Sequence, residues 1–155
     1  MVYIRTQRRQ SGAENDYLRT VAISLVAGGK TVRVEDGDVG AIAALDRDVF
    51  SSSDRIEAIL VFENRGKAPV TIASPGSFAA LFTVRDAAGR KLPFASPEEW
   101  AVADQSQRGI AVPPGGHAGM FVALRPYYSL ETPGAYDLRL NWRGEESASL
   151  KFTVR

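Results

Sequence analysis

The stretch SLETPGAYDLRLNW, Ser129 to Trp142, opens on a proline–glycine turn and then alternates strictly. Tyr136, Leu138, Leu140 and Trp142 are apolar, while Asp137, Arg139, Asn141 and Arg143 between and after them are polar. A period of two is the signature of a strand with one buried face and one wet face. After a break at Gly144-Glu145-Glu146 the same rhythm returns, with Ala148, Leu150, Phe152 and Val154 set against Ser149, Lys151, Thr153 and Arg155. The two runs predict a C-terminal hairpin. Whether Tyr136 serves a scaffold or a site depends on what surrounds them.

Outward from that hairpin, similar signals recur. RIEAILVFEN (Arg55 to Asn64) is apolar on both faces, as a central strand is, and NRGKAPVTI turns it into a second strand carrying Val70 and Ile72, another expected hairpin. FAALFTVRDAAGRKLPF places Phe82 and Val84 before an Asp-Ala-Ala-Gly turn and Leu92 after it, the composition of a type I turn closed by a left-handed glycine. VPPGGHAGMFVAL bends at Pro113-Pro114-Gly115-Gly116 and enters a strand through Met120, Val122 and Leu124. One short helix is expected in the connection Ala95 to Gly109, where Ser96 is an N-cap candidate, Pro97 suits the first position and Glu99 completes a capping box. Near the start, Val21-Ile23-Leu25 and Val32-Val34 around Gly28-Gly29 predict a hairpin over residues 17–36, too small to bury its own apolar face and so docked on the rest. Residues 1–16, polar and arginine-rich after the first four, read as an arm. Residues 37–155 then form the main domain.

The composition is that of an ordinary globular domain. The 155 residues are 45% hydrophobic and 24% charged, and a chain of this size buries roughly 70% of the surface its unfolded form exposes, so one core suffices without staples. There is no cysteine, hence neither a disulfide nor a thiol nucleophile. Nineteen basic residues face 18 acidic ones, interspersed along the chain, a pattern that implies no nucleic-acid partner. No apolar run is long enough to insert into a membrane as a helix, and none near the start reads as a leader.

Many short strands, frequent turns and scarce helix signals predict an all-β, antiparallel β-sandwich with an extra N-terminal hairpin and one short loop helix. From Val39 to Arg155 the order of parts, LDRDVFSSSDRIEAILVFENRGKAPVTI, FTVRDAAGRKL, VPPGGHAGMFVAL and SLETPGAYDLRL, resembles a bacterial-type immunoglobulin-like domain. It is similar to the sandwich that precedes the catalytic domain of deuterolysin-like and lysine-specific metalloendopeptidases. The matching features are Pro114-Gly115, Tyr128 with Leu130, and Gly134 with Tyr136. A comparable pattern marks the intracellular proteinase inhibitor family. The resemblance implies a corner role for Tyr136, its hydroxyl folded back onto backbone a few residues upstream. It carries no protease chemistry, since the chain has no H-E-x-x-H and its single histidine is His117.

Candidate sites are few. His117 lacks a nucleophile-elbow neighbour and reads as a surface-loop histidine. Glu35, Asp36, Asp38, Asp46 and Asp48 invite a calcium reading. Counted from Asp36, however, Ala41 and Arg47 occupy the positions where an EF-hand loop needs glycine and glutamate. These carboxylates are therefore taken as solvated, and no metal or cofactor is assigned. Aromatic residues on loops remain: Trp100, Tyr127 and Tyr128 could stack on a sugar or anchor a protein, or could cap the core. The expected function is a noncatalytic interaction or accessory module of a secreted or cell-envelope assembly. Its partner would be a protein, and a periplasmic or secreted location is favoured over the cytoplasm. Proteinase inhibition through a loop and carbohydrate binding are the alternatives, and a homodimer could form through the edge of the N-terminal hairpin.

Overall fold

A computed structural model of the chain describes residues 2–4, 30–95 and 109–155. The expected loop helix at Ser96 to Glu99, Trp100, and the first strand of the expected N-terminal hairpin with Gly28-Gly29 lie outside the described residues. The fold is all-β, with two main sheets packed face to face and a small third pair. Twelve strands are described: β1 (Val2–Ile4), β2 (Thr31–Asp36), β3 (Val39–Leu45), β4 (Val49–Phe50), β5 (Glu57–Asn64), β6 (Val70–Ile72), β7 (Phe82–Arg85), β8 (Ile110–Val112), β9 (His117–Ala123), β10 (Gly134–Trp142), β11 (Glu145–Glu146) and β12 (Leu150–Val154). Among the described residues the helical element is a 3-10 turn, Phe78–Leu81, capped by the Ser77 hydroxyl, which accepts from Ala79 N.

The larger sheet runs β1-β9-β5-β3-β2. Its pairings are antiparallel except for β1, which lies parallel to β9 with Val2 opposite His117. In the second sheet β10 takes β12 on one side and β7 on the other, with β11 at its end. The outermost β4 pairs in parallel with Thr153 and Val154 of β12. The C-terminal hairpin thus forms as its alternation requires, Tyr136 opposite Phe152 and Leu138 opposite Leu150. The turn after Trp142 holds Arg143 and Gly144 at φ 49° and 82°, the pair of positive angles that a tight hairpin with the strands' right-handed twist demands.

Period two decides which side chains meet. Ala41, Ala43, Leu60, Phe62, Ala118 and Met120 of the larger sheet face Leu138, Leu140, Trp142, Leu150 and Phe152 of the second, all within one buried core. Phe62 and Trp142 join the layers, ring centres 5.8 Å apart. On the other face the sheets differ. The second sheet shows water Asp137, Arg139, Asn141 and Lys151, with Arg139 ion-paired to Asp137 at 3.4 Å and to Glu146 at 3.0 Å. The larger sheet instead places Ile42, Ala44, Ile59 and Val61 there, none more than 2% exposed.

Polar side chains fasten the connections to this frame. Asn64, 1% exposed, donates from Nδ2 to Ala68 O (2.8 Å) and Val112 O (3.2 Å), while its Oδ1 accepts from Gly66 N (2.9 Å). One side chain therefore ties the end of β5 to the following turn and to β8. Buried Ser147 accepts from Leu140 N and donates to Ala148 O, tying the connection between β11 and β12 to β10. The Tyr136 hydroxyl donates to Thr132 O at 2.6 Å, four residues upstream, while its ring stacks on Phe152.

Several expectations need correction. Val32 and Val34 belong to the larger sheet and pair with β3, across a two-residue turn at Gly37-Asp38, so a boundary at residue 36 cuts a hairpin in half. A Gly-Asp pair between two strand-like runs is a two-residue hairpin signal, and Gly37 supplies the positive φ, 59°. The arm assigned to residues 1–16 contains β1, since Val-Tyr-Ile has strand-forming side chains that outweigh the polar residues after them. Val70 and Ile72 form a strand as expected, but its partner is β8, not β5, because the turn held by Asn64 leads the chain out of the larger sheet. His117 begins strand β9 and is half-buried instead of standing in a surface loop, because the strand starts directly after the Pro113 to Gly116 bend.

Candidate functional site

The residues singled out from sequence do not converge. Tyr127 and Tyr128 are each 3% exposed, so both cap the core, the alternative to stacking on a sugar or anchoring a protein. The chain makes a tight turn here, with Tyr127 N and Tyr128 N both donating to Leu124 O, and a turn lifts the strict alternation of a strand. The Tyr128 hydroxyl reaches Phe82 O at 2.5 Å and Ala79 O at 3.1 Å, and burial raises its pKa to about 12. Tyr127 is stacked by Phe94, centres 5.2 Å apart. The two tyrosines therefore present no exposed flat platform, and the exposed aromatic of this group is Phe94. A cavity of about 360 Å³ beside them is lined by Pro93, Arg125, Pro126 and Glu131 among others.

The acidic cluster disperses into arginine pairs. Glu35 is held by Arg65 (2.5 Å) and Arg33 (2.8 Å), Asp36 by Arg143 (2.6 Å) and Asp46 by Arg47 (3.3 Å). The hydrogen bonds from Arg65 and Arg33 hold the Glu35 carboxyl below the usual carboxylate range. Among the described residues no three histidine, cysteine, aspartate or glutamate side chains gather as a metal site. His117 Nε2 stands 3.4 Å from Glu63 Oε2, which Arg33 also contacts at 3.1 Å.

The feature that does assemble side chains is a cleft of about 540 Å³ where the two sheets part along one side of the sandwich. Its construction follows from the strand lengths. β2 is the last strand in the larger sheet's order. In the second sheet β4 is only two residues long and reaches Thr153 and Val154 but not Leu150 or Lys151. Among the described residues, two strand edges therefore flank the opening. Val32, Leu45 and Leu150 turn inward by their period of two and make an apolar floor, while Lys30, Arg47 and Lys151 stand on the rim with Asp48. Arg47 is held by Asp46 and Asp54 (3.7 Å) and lies over the Phe50 ring. Lys30 and Lys151 make no ion pair among the described residues. A volume of this size lies within the range of small-ligand and short-peptide sites.

Sequence reading missed this cleft because its parts lie about a hundred residues apart and each looks ordinary alone. The usable signal was the contrast between a two-residue β4 and a five-residue β12 beside it.

No family model and no curated protein matches the chain. Among solved structures it is similar to the ycdA protein of Bacillus subtilis, a lipoprotein candidate, at 14% identity and a TM-score of 0.40 over 77% of this chain and 37% of that one. It is also similar to the yjhA protein of Bacillus subtilis, at 14% identity and a TM-score of 0.39 over 79% of this chain and 94% of the other. A third is the alkylpurine DNA glycosylase AlkC of Pseudomonas fluorescens bound to DNA with an abasic-site analogue, at 12% identity and a TM-score of 0.46 over 93% and 40%. The chain thus spans under half the length of the first and third. The class its own fold defines is an all-β protein of two apposed, mostly antiparallel sheets. Among the described residues no helix is long and apolar enough to cross a membrane.

Proposed function

We propose that this chain is a noncatalytic interaction module, an immunoglobulin-like sandwich in an envelope or secreted assembly, that captures an extended segment of a protein partner by strand addition in the cleft between β2 and β12. The cleft carries the reading: two strand edges, unpaired among the described residues, offer backbone donors and acceptors, an apolar floor takes alternate side chains, and a basic rim selects the charge. Strand addition draws affinity from main-chain hydrogen bonds and specificity from pockets for every second residue. The segment that fits is apolar at alternate positions and acidic between them, because Lys30 and Lys151 lack carboxylate partners among the described residues. The hydrogen bond from Tyr136 to Thr132 O supports the immunoglobulin-like assignment, since it has the form of that fold's corner.

Panning a random twelve-residue peptide library on the full chain tests the reading, followed by fluorescence polarisation with the enriched peptides. Peptides alternating apolar and acidic residues are expected, and the pair Lys30→Glu with Lys151→Glu should weaken them about tenfold or more, as removal of complementary rim charge does. Unselective enrichment, or equal binding by the charge-reversed protein, would refute it. Concentration-dependent dimerisation lost on that double substitution would show that a second copy occupies the cleft instead.

A further inference from the structure

We infer that the cavity beside the turn after β9 binds a small apolar zwitterion, a free α-amino acid held by its carboxylate on Arg125 and by its ammonium on Glu131. The cavity measures about 360 Å³ and shares no lining residue with the cleft between β2 and β12. That volume is in the range of small-ligand sites. Backbone sets its walls. Tyr127 N and Tyr128 N both donate to Leu124 O, closing the turn that carries Arg125 and Pro126, and Ala95 N donates to Tyr127 O at 2.8 Å, seating residues 93–95 against that turn. The Tyr128 hydroxyl is spent on Phe82 O and Ala79 O, so its ring contributes apolar wall. Pro93, Pro126 and Leu130 extend the apolar lining. A site pre-formed in this way loses little freedom on binding.

Two charges stand in that lining without counter-ions among the described residues. Half-buried Arg125 has the Ser51 carbonyl as its acceptor there, 2.9 Å from Nη2, while its Nε is buried with none. A guanidinium carries five N–H donors in a fixed fork, so the mooring at Ser51 orients the group and leaves most of its donors over. A buried donor without an acceptor marks a place where a partner is missing. The carboxylate nearest the mooring is occupied, since Asp54 accepts from Ser51 N at 2.7 Å and pairs with Arg47 at 3.7 Å. Glu131 is exposed on the same cavity and makes no ion pair or hydrogen bond among the described residues. Arg125 and Glu131 thus line one cavity without pairing to each other. A molecule with an anionic and a cationic end fits that gap in one orientation, its carboxylate on the arginine fork, where charge-assisted hydrogen bonds form, and its ammonium toward Glu131. A simple anion leaves Glu131 unanswered and a simple cation is repelled by Arg125, which narrows the ligand to the zwitterion. The prolines and Leu130 select a branched or aromatic side chain over a polar one.

The test is isothermal titration calorimetry of the full chain with L-leucine and L-phenylalanine, beside the N-acetyl derivative of each, which lacks the ammonium, and the amide of each, which lacks the carboxylate. At least one amino acid is expected to bind with a Kd below about 10 mM, and its two derivatives about tenfold more weakly or worse, as loss of one charged contact demands. Arg125→Lys keeps the charge but not the fork, and Glu131→Gln is an isosteric change at an exposed position. Each should weaken the amino acid about tenfold, and Glu131→Gln should melt with the wild type. Amide shifts in ¹H–¹⁵N spectra should centre on Tyr127, Ser129 and Leu130 and spare Val32 and Leu150 of the other cleft. No saturation up to that concentration, shifts confined to the other cleft, or full binding by Glu131→Gln would overturn the inference. Equal affinity for the N-acetyl derivatives would give the site to a peptide's C-terminal carboxylate and overturn it as well.

Discussion

Replacing Tyr128 with phenylalanine removes one oxygen and almost no apolar surface, so the consequence falls on hydrogen bonding. The hydroxyl is buried and has a single proton for two carbonyls, Phe82 O at 2.5 Å and Ala79 O at 3.1 Å. Ala79 O keeps a second donor, the Phe82 amide that closes the 3-10 turn, which leaves Phe82 O as the group that loses most. Leaving a buried carbonyl without that donor costs about 1–3 kcal/mol. For a domain of this size, 1 kcal/mol lowers Tm by roughly 2–4 °C. Thermal melts by circular dichroism, with urea unfolding at constant m, measure it, and a loss within about 0.3 kcal/mol of zero would refute the reasoning. Alkaline pH adds a second signature. Burial raises the folded pKa from 10.0 to about 12, so the anion is disfavoured in the fold. The stability Tyr128 contributes is complete below pH 10 and lost as pH climbs toward 12. Wild type and variant should therefore converge in stability across that window, and parallel curves would show that the phenol is not the group responsible.

Tyr136→Phe should lower stability by about 1–3 kcal/mol through the orphaned Thr132 carbonyl while leaving peptide binding in the cleft unchanged, and selective loss of binding would move Tyr136 from scaffold to site. Asn64→Ala breaks three hydrogen bonds and leaves a small void; urea titration should show a loss of about 2–4 kcal/mol, and less than 1 would mean the turn after β5 is held by other contacts. Gly109→Ala places a methyl group against the Ile72 carbonyl oxygen at φ 108°, and at least 2 kcal/mol should be lost by the same titration, since strain of about 1–3 kcal/mol adds to the collision. Near-wild-type stability would show that the β6–β8 pair shifts freely.

What the sequence made legible was what period two controls. The C-terminal hairpin, the twofold apolar character of β5 and the Asp86 to Gly89 turn follow from local chemistry, and the structure places Gly89 at φ 78° as that turn requires. β3 escaped notice because the alanines Ala41 and Ala43 carry weak strand propensity and acquire meaning only in the core with Phe62 and Trp142. The burial of Tyr127 and Tyr128 was illegible because it depends on a backbone turn and on Phe94, distant in sequence. The cleft was hidden for a related reason, being the gap left by two strands of unequal length.

The parallel seat of β1 on β9 sets an order of events during synthesis. Val2 to Ile4 leave the ribosome before every other described strand, yet their partners His117 to Gly119 emerge after all the strands of the larger sheet but β9 itself. Contacts between residues so far apart in the chain are slow to form, because a long loop must close before they yield anything. The β2-β3-β5 meander, whose partners are near neighbours in sequence, can pair as it emerges, while β1 must wait. In the nascent chain the β5 edge that β9 later fills, and the place beyond it for β1, stay open until β9 emerges, an interval in which a chaperone that binds strand edges would find its substrate.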